Sequence, residues 1–269
     1  MFRLAVVCAL VFVSAVITTA QTAPQNPGPL DNLVPTPNPV TSPVQSDTGV
    51  DGQWRRAMRE KYEGKFPGPA PRTPEDKPDL SGVWIAQNTP ERPALTHLGL
   101  TLLEDRYKTN LKDFPYSVCL PPAPAPPGIG LWVVMQNRTQ LVTLFELPPN
   151  YRLVFLDGRP HPPDIEPTWM GHSIGTWEGD TLVVDSIGFN DKSWLGASFL
   201  PHTANMHLRE RWTRTTMGSM TVELTYEDPE IFVKSWKVVL NVFLAPGENL
   251  MESICDNNRF PQLSAGQNR

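Results

Sequence analysis

The sequence predicts a mainly β protein: an antiparallel meander that closes into a barrel behind a proline-rich lead-in. Three observations carry this. From about residue 130 the apolar runs are short and rich in β-branched and aromatic residues. The breaks between them are mostly compact turn sequences, and short turns force antiparallel neighbours. A long meander must also hide its edges, and closure does so most completely, with sandwich packing as the runner-up.

The elements follow in order. Residues 21–78 are crowded with proline, which lacks an amide donor and fixes φ, so they read as a disordered or extended linker. Within it, Trp54, Met58 and Tyr62 recur four apart and predict a short docking helix over 51–64. The barrel domain spans 79–258, with a flexible tail over 259–269. Leu80–Ile85 is its first strand. Residues 97–112 read as a helix with Leu98, Leu102 and Leu103 on its apolar side and Pro115 as a stop. Residues 120–128 form a proline-rich extended loop. Further strands are expected at 131–136, 140–147, 151–156, 172–177, 181–187, 206–214, 220–227 and 234–244, with a last one at 250–255. Glu178-Gly179-Asp180 is the clearest hairpin signal.

Residues 1–20 carry Arg3, then an apolar run from Leu4 to Ile17, then small residues before Gln21. This is the pattern of a cleavable signal peptide, and it implies a secreted or periplasmic protein. No later segment has the length of a membrane span. Removing the signal leaves Cys119 and Cys255, an even pair that suggests a disulfide in an oxidising compartment. In the chain-entropy model, closing so long a loop is worth roughly 4–5 kcal/mol. Net charge is −5. With no basic patch, nucleic acid is excluded as a partner. Asn137-Arg138-Thr139 fits a glycosylation sequon, relevant only to a eukaryotic secretory path.

Four of the five histidines (His161, His172, His202 and His207) fall in one short stretch. They point to a convergent site. Metal binding is not favoured, because no HxH, HExxH or CxxC spacing is present. Acid–base chemistry needs a carboxylate, and Asp185 lies in the otherwise apolar strand TLVVDSIGF. Folding about 178–180 places residue 173 near 185, which predicts an imidazole–Asp185 contact in the barrel cavity. His172 and Asp185 are therefore the expected acid–base pair, assisted by His161, His202 and His207. Trp169, Trp177, Trp194 and Trp212 are the expected lining for a flat apolar ligand. GHSIG at 171–175 has the outline of a nucleophile elbow, but strand-like residues follow the serine where a helix is required. No glycine-rich phosphate loop is present, and no cofactor can be assigned.

LDGRPHP from Leu156 and GHSIGTWEGDTLVVDSIGF to Phe189, with CLPP at 119–122, PHTANMHLRERWTR at 201–214 and EDP at 227–229, resemble a group of secreted bacterial proteins of unassigned function. The resemblance covers roughly 80–257 and implies secretion without an activity. Gly82-x-Trp84 is similar to the first strand of lipocalin-like barrels, which implies a barrel with a central cavity. The expected function is acid–base chemistry (isomerase, lyase or hydrolase type) on a small, largely apolar molecule. The alternative is a non-catalytic carrier of the cell envelope.

Overall fold

The structure is a computed structural model that describes residues 50–87, 92–121, 130–146, 150–195 and 199–252. The expected signal peptide (residues 1–20), residues 21–49, Cys255 and the expected tail lie outside the described residues. Strands β1 (Gly82–Gln87), β2 (Leu131–Gln136), β3 (Gln140–Phe145), β4 (Asn150–Phe155), β5 (His172–Glu178), β6 (Thr181–Ile187), β7 (His207–Arg214), β8 (Ser219–Glu227) and β9 (Trp236–Leu244) form a closed barrel in chain order. The mainly β, barrel-forming expectation is met.

One pairing departs from the meander. Every neighbour is antiparallel except β4 and β5, which run parallel through Val154–Ser173 and Phe155–Ile174. An odd number of strands cannot close with antiparallel contacts alone, because each such contact reverses direction. One parallel contact is required, and it needs a crossover. That crossover is residues 156–171, the LDGRPHP segment. It is pinned to the outer wall where Thr168 N donates to Gly188 O at 3.0 Å and Asn190 N to Thr168 O at 2.7 Å. Ile165 sits against Gly188, whose φ of +73° and missing Cβ permit that approach.

Strand alternation divides the side chains. Trp84, Trp132, Leu141, Val154, Leu182, Val184, Leu208, Trp212 and Leu240 point inward and pack as one core. Both ends of the barrel are covered. At one end lie Leu95, Phe189, Leu195, Leu200, Ile231 and Phe232, all part of the core. At the other, Met217 N donates to Gly68 O and Arg72 pairs with Asp180. Residues 65–78 are held against the barrel and are not uniformly extended: Thr73 N donates to Lys77 O in a tight turn, and Arg72 bridges to Pro78.

The helix expected over 51–64 is α1 (Val50–Tyr62), and Met58 and Tyr62 of its stripe bury against Ile85, Leu131, Phe243 and Ala245 on the outer wall. The second helix, α2 (His97–Lys108), turns a different face inward than expected. Leu98 and Leu102 are exposed, while Gly99 is buried, with Leu100 and Leu103 packed on the core. Thr96 N bonds Ile231 O, and a Cβ on Gly99 would stand 2.7 Å from that same oxygen. The helix therefore approaches through its smallest residue. The strand expected at 250–255 is not formed over 250–252, and its remainder is outside the described residues.

Candidate active site

The hairpin β5–β6 sets the site. Glu178 pairs with Thr181 across a two-residue turn whose first residue, Gly179, has φ +60°, the place a II′ turn reserves for glycine. The register is Ser173–Ser186, Ile174–Asp185 and His172–Ile187. It differs by one residue from the expected pairing of 173 with 185. A two-residue turn is centred between residues, not on Gly179. Ser186 shares the core face with Leu182 and Val184, so Asp185 points to the outer wall. The cavity placement expected for His172 and Asp185 is corrected accordingly: both stand outside the barrel, beneath the crossover.

The residues nevertheless converge. His161, carried by the crossover, wedges between the two. Its Nε2 lies 2.9 Å from Asp185 Oδ1, and its Nδ1 lies 2.8 Å from His172 Nδ1. His207, at the start of β7, places Nε2 2.8 Å from Asp185 Oδ2 and Nδ1 3.7 Å from Glu227 Oε2. Arg209 Nε is 3.6 Å from Asp185 Oδ2. His172 stacks on Phe155 at 5.2 Å, and the Arg159 guanidinium lies 4.0 Å over the same phenyl ring. Arg159 is itself held by Asp157.

Charge states follow from these contacts. Burial works against the Asp185 carboxylate, but hydrogen bonds from His207 and His161 outweigh it and hold its pKa below the ordinary 3.8. Burial, His161 and Arg159 push His172 below 6.5, so this ring is neutral at pH 7. An ionised carboxylate only accepts, so His161 and His207 both donate to it through Nε2. In the tautomer in which His161 Nδ1 accepts, His172 donates from Nδ1. The lone pair of His172 then sits on Nε2. Among the described residues nothing bonds that atom, and it is not buried.

The remaining sequence candidates lie elsewhere. His202 is buried in the end cap: its Nδ1 donates to Thr203 O at 3.0 Å, and its Nε2 lies 2.6 Å from Ser193 Oγ. The four tryptophans do not line one pocket. Trp212 is in the core, edge-on to Trp132 at 5.5 Å, and Trp177 packs on the core. Trp194 lies under Arg106 among Phe114 and Phe199, and Trp169 is half-buried in the crossover. Among the described residues, no group of three or more His, Cys, Asp or Glu is arranged to hold a metal.

Sequence reading passed over Phe155, Arg159, Arg209 and Glu227 at the site. It also passed over a second polar centre, inside the barrel. Arg152 of β4 lies with Nη1 2.5 Å from Glu210 Oε1, and donates from Nη2 to Ser186 Oγ at 2.7 Å and from Nε to Ser173 Oγ at 3.2 Å. Trp212 Nε1 donates to Glu210 Oε2 at 2.8 Å. All of these groups are buried. Glu210 thus reaches across the interior from β7 to Arg152 of β4.

No protein-family description matches the chain, and neither a curated protein nor a solved structure does. Among the described residues, no helix is long and apolar enough to cross a membrane.

Proposed function

We propose that this chain is an exported enzyme that performs general acid–base chemistry on a small, largely apolar molecule at His172. The observation that carries the reading is the unbroken chain Asp185–His161–His172, which ends on an open imidazole nitrogen. In the working cycle, His172 Nε2 takes a proton from the substrate. The proton on its Nδ1 passes to His161 Nδ1. The positive charge then rests on His161, whose Nε2–H faces the Asp185 carboxylate. Proton count is conserved, and reversing the shift returns a proton to product. An aspartate that orients and stabilises an imidazolium is a recurrent way to build a general base, and such proton transfer contributes roughly 10²–10⁴-fold. Phe155 offers an apolar surface beside the base.

Export, the likeness to secreted bacterial proteins and a Cys119–Cys255 disulfide belong to the same proposal. The carrier reading has less support: large side chains fill the barrel interior and both ends are covered.

The test follows deuterium exchange at the α-carbon of a panel of cyclic ketones, together with hydrolysis of p-nitrophenyl butyrate. The wild-type protein should accelerate at least one of these above buffer. His172→Ala should lose that acceleration while keeping its urea midpoint. No acceleration by the wild type, or full activity in His172→Ala, overturns the proposal. Tight probe binding without turnover favours the carrier.

A further inference from the structure

The outer wall of the barrel is unevenly dressed. Strands β7, β8 and β9 turn Arg209, Arg211, Glu223, Glu227 and Lys237 outward. Strands β2, β3 and β4 turn out Val133, Met135, Val142, Leu144, Tyr151 and Leu153, with no charge among them. The register makes these six a grid of two rows. Val133, Leu144 and Tyr151 form one row, and Met135, Val142 and Leu153 the other. Two members stand well into solvent, Tyr151 at 64% exposure and Met135 at 48%. None of these side chains is needed by the core, which lies on the opposite face of the same strands.

The grid continues a face already used for docking. Val83 of β1 pairs with Val133 and packs with the cluster that receives Met58 and Tyr62 of α1. Among the described residues, α1 covers that neighbouring patch, while Met135 and Tyr151 of the grid are exposed. Contiguous apolar surface of this kind on a soluble protein marks an interaction site. Six uncharged side chains are the composition of an interface core, and Arg138, Gln140 and Asn150 supply polar rim at its borders.

We infer that a second copy of this chain packs on the β2–β3–β4 face, related by a two-fold axis running along β3. The shape of the grid selects this occupant. Its most exposed residues stand at diagonal corners, Met135 on β2 and Tyr151 on β4. A two-fold along β3 lays β2 of one copy over β4 of the other. Tyr151 then covers the partner's Val133, and Met135 covers the partner's Leu153. Protruding side chains meet recessed ones on both sides, which is the self-complementarity an isologous interface needs. Sheet faces pack in this way about 10 Å apart. Beyond Leu153 the outward face of β4 continues to Phe155, which stacks on His172, so the second chain lies beside the proton-transfer site. The pairing itself does not depend on that site being catalytic.

The test is sedimentation of the purified protein at micromolar concentration. The wild type should sediment at twice the mass of one chain. The double variant Met135→Lys/Tyr151→Lys should sediment as a single chain with an unchanged far-ultraviolet circular dichroism spectrum. Val239→Lys, at an exposed site on the far wall, should leave the dimer intact. A wild type that is monomeric, or a double variant that stays dimeric, overturns the inference. So does a monomeric wild type that floats with phosphatidylcholine vesicles, because the face then meets lipid. Should the double variant fail to fold, Tyr151→Lys alone serves, with a raised dimer dissociation constant expected and an unchanged one contradicting.

Discussion

The two faces of β6 hold charge in opposite ways. On the inner face, Ser186 joins Arg152, Ser173, Glu210 and Trp212 in a network shut away from water. On the outer face, Asp185 gathers His161 and His207 where solvent still reaches. The inner network is closed in charge: the Arg152 guanidinium is ion-paired with Glu210 Oε1 and donates to hydroxyls, and the second Glu210 oxygen accepts an indole N–H. The outer cluster is open, because its last atom, His172 Nε2, has no partner among the described residues. A closed network fixes the position of strands, whereas an open one keeps a lone pair for a visitor. The contrast teaches that burial of polar groups alone does not locate a site. The unspent hydrogen-bonding capacity at the end of a relay does.

The largest expected effect breaks the inner network. Glu210→Ala strands the Arg152 guanidinium in the interior and should cost about 3–5 kcal/mol of stability, read from urea unfolding. Arg152→Met/Glu210→Leu removes both charges and should recover most of that loss. Equal losses in the single and double variants would contradict the pairing. Trp212→Phe leaves Glu210 Oε2 without its donor and should cost about 1–3 kcal/mol on the same measurement. Asp185→Asn, on the half-exposed outer face, should move stability by no more than about 1 kcal/mol. A loss as large as that of Glu210→Ala would make the outer cluster structural.

Acid titration sharpens the comparison further. His172 and His202 both have folded pKa values lowered, chiefly by burial. The unfolded chain therefore takes up protons first as pH falls. The stability these neutral rings contribute is complete above 6.5 and is lost as pH drops from there towards their folded values. Asp185, also lowered, keeps its contribution until pH falls below 3.8 and loses it through its folded value. Urea midpoints should thus fall in a histidine window first and a carboxylate window second. His202→Gln, the more deeply buried ring, should flatten the upper window more than His172→Gln. The reverse order would place the buried ring at His172.

Much of this fold was legible because it is local. The β5–β6 hairpin is written in Glu178-Gly179-Asp180, and the α1 stripe in Trp54, Met58 and Tyr62. The clustering of histidines and Asp185 in an apolar strand named His161, His172, His207 and Asp185, which the structure brings together, but also His202 and four tryptophans, which it does not. The wall that carries the site was not legible. One residue of register decides which face Asp185 takes, and that residue depends on the geometry of a two-residue turn. The parallel β4–β5 contact was also hidden, because it follows from the strand count of the closed barrel and not from any local pattern. His161 reaches Asp185 only through the crossover that contact requires. Arg152 and Glu210 meet across the barrel, a pairing no sequence spacing announces. The inward face of α2 was missed because Gly99, without a side chain, gives no apolar signal.

The direct test of the central claim is nitrogen-15 NMR of the imidazole rings at pH 7. The account predicts His161 protonated on Nε2, and His172 neutral with its proton on Nδ1 and a bare Nε2; Asp185→Asn should disturb that order. A His172 ring that carries its proton on Nε2, or a pattern indifferent to Asp185→Asn, would contradict it.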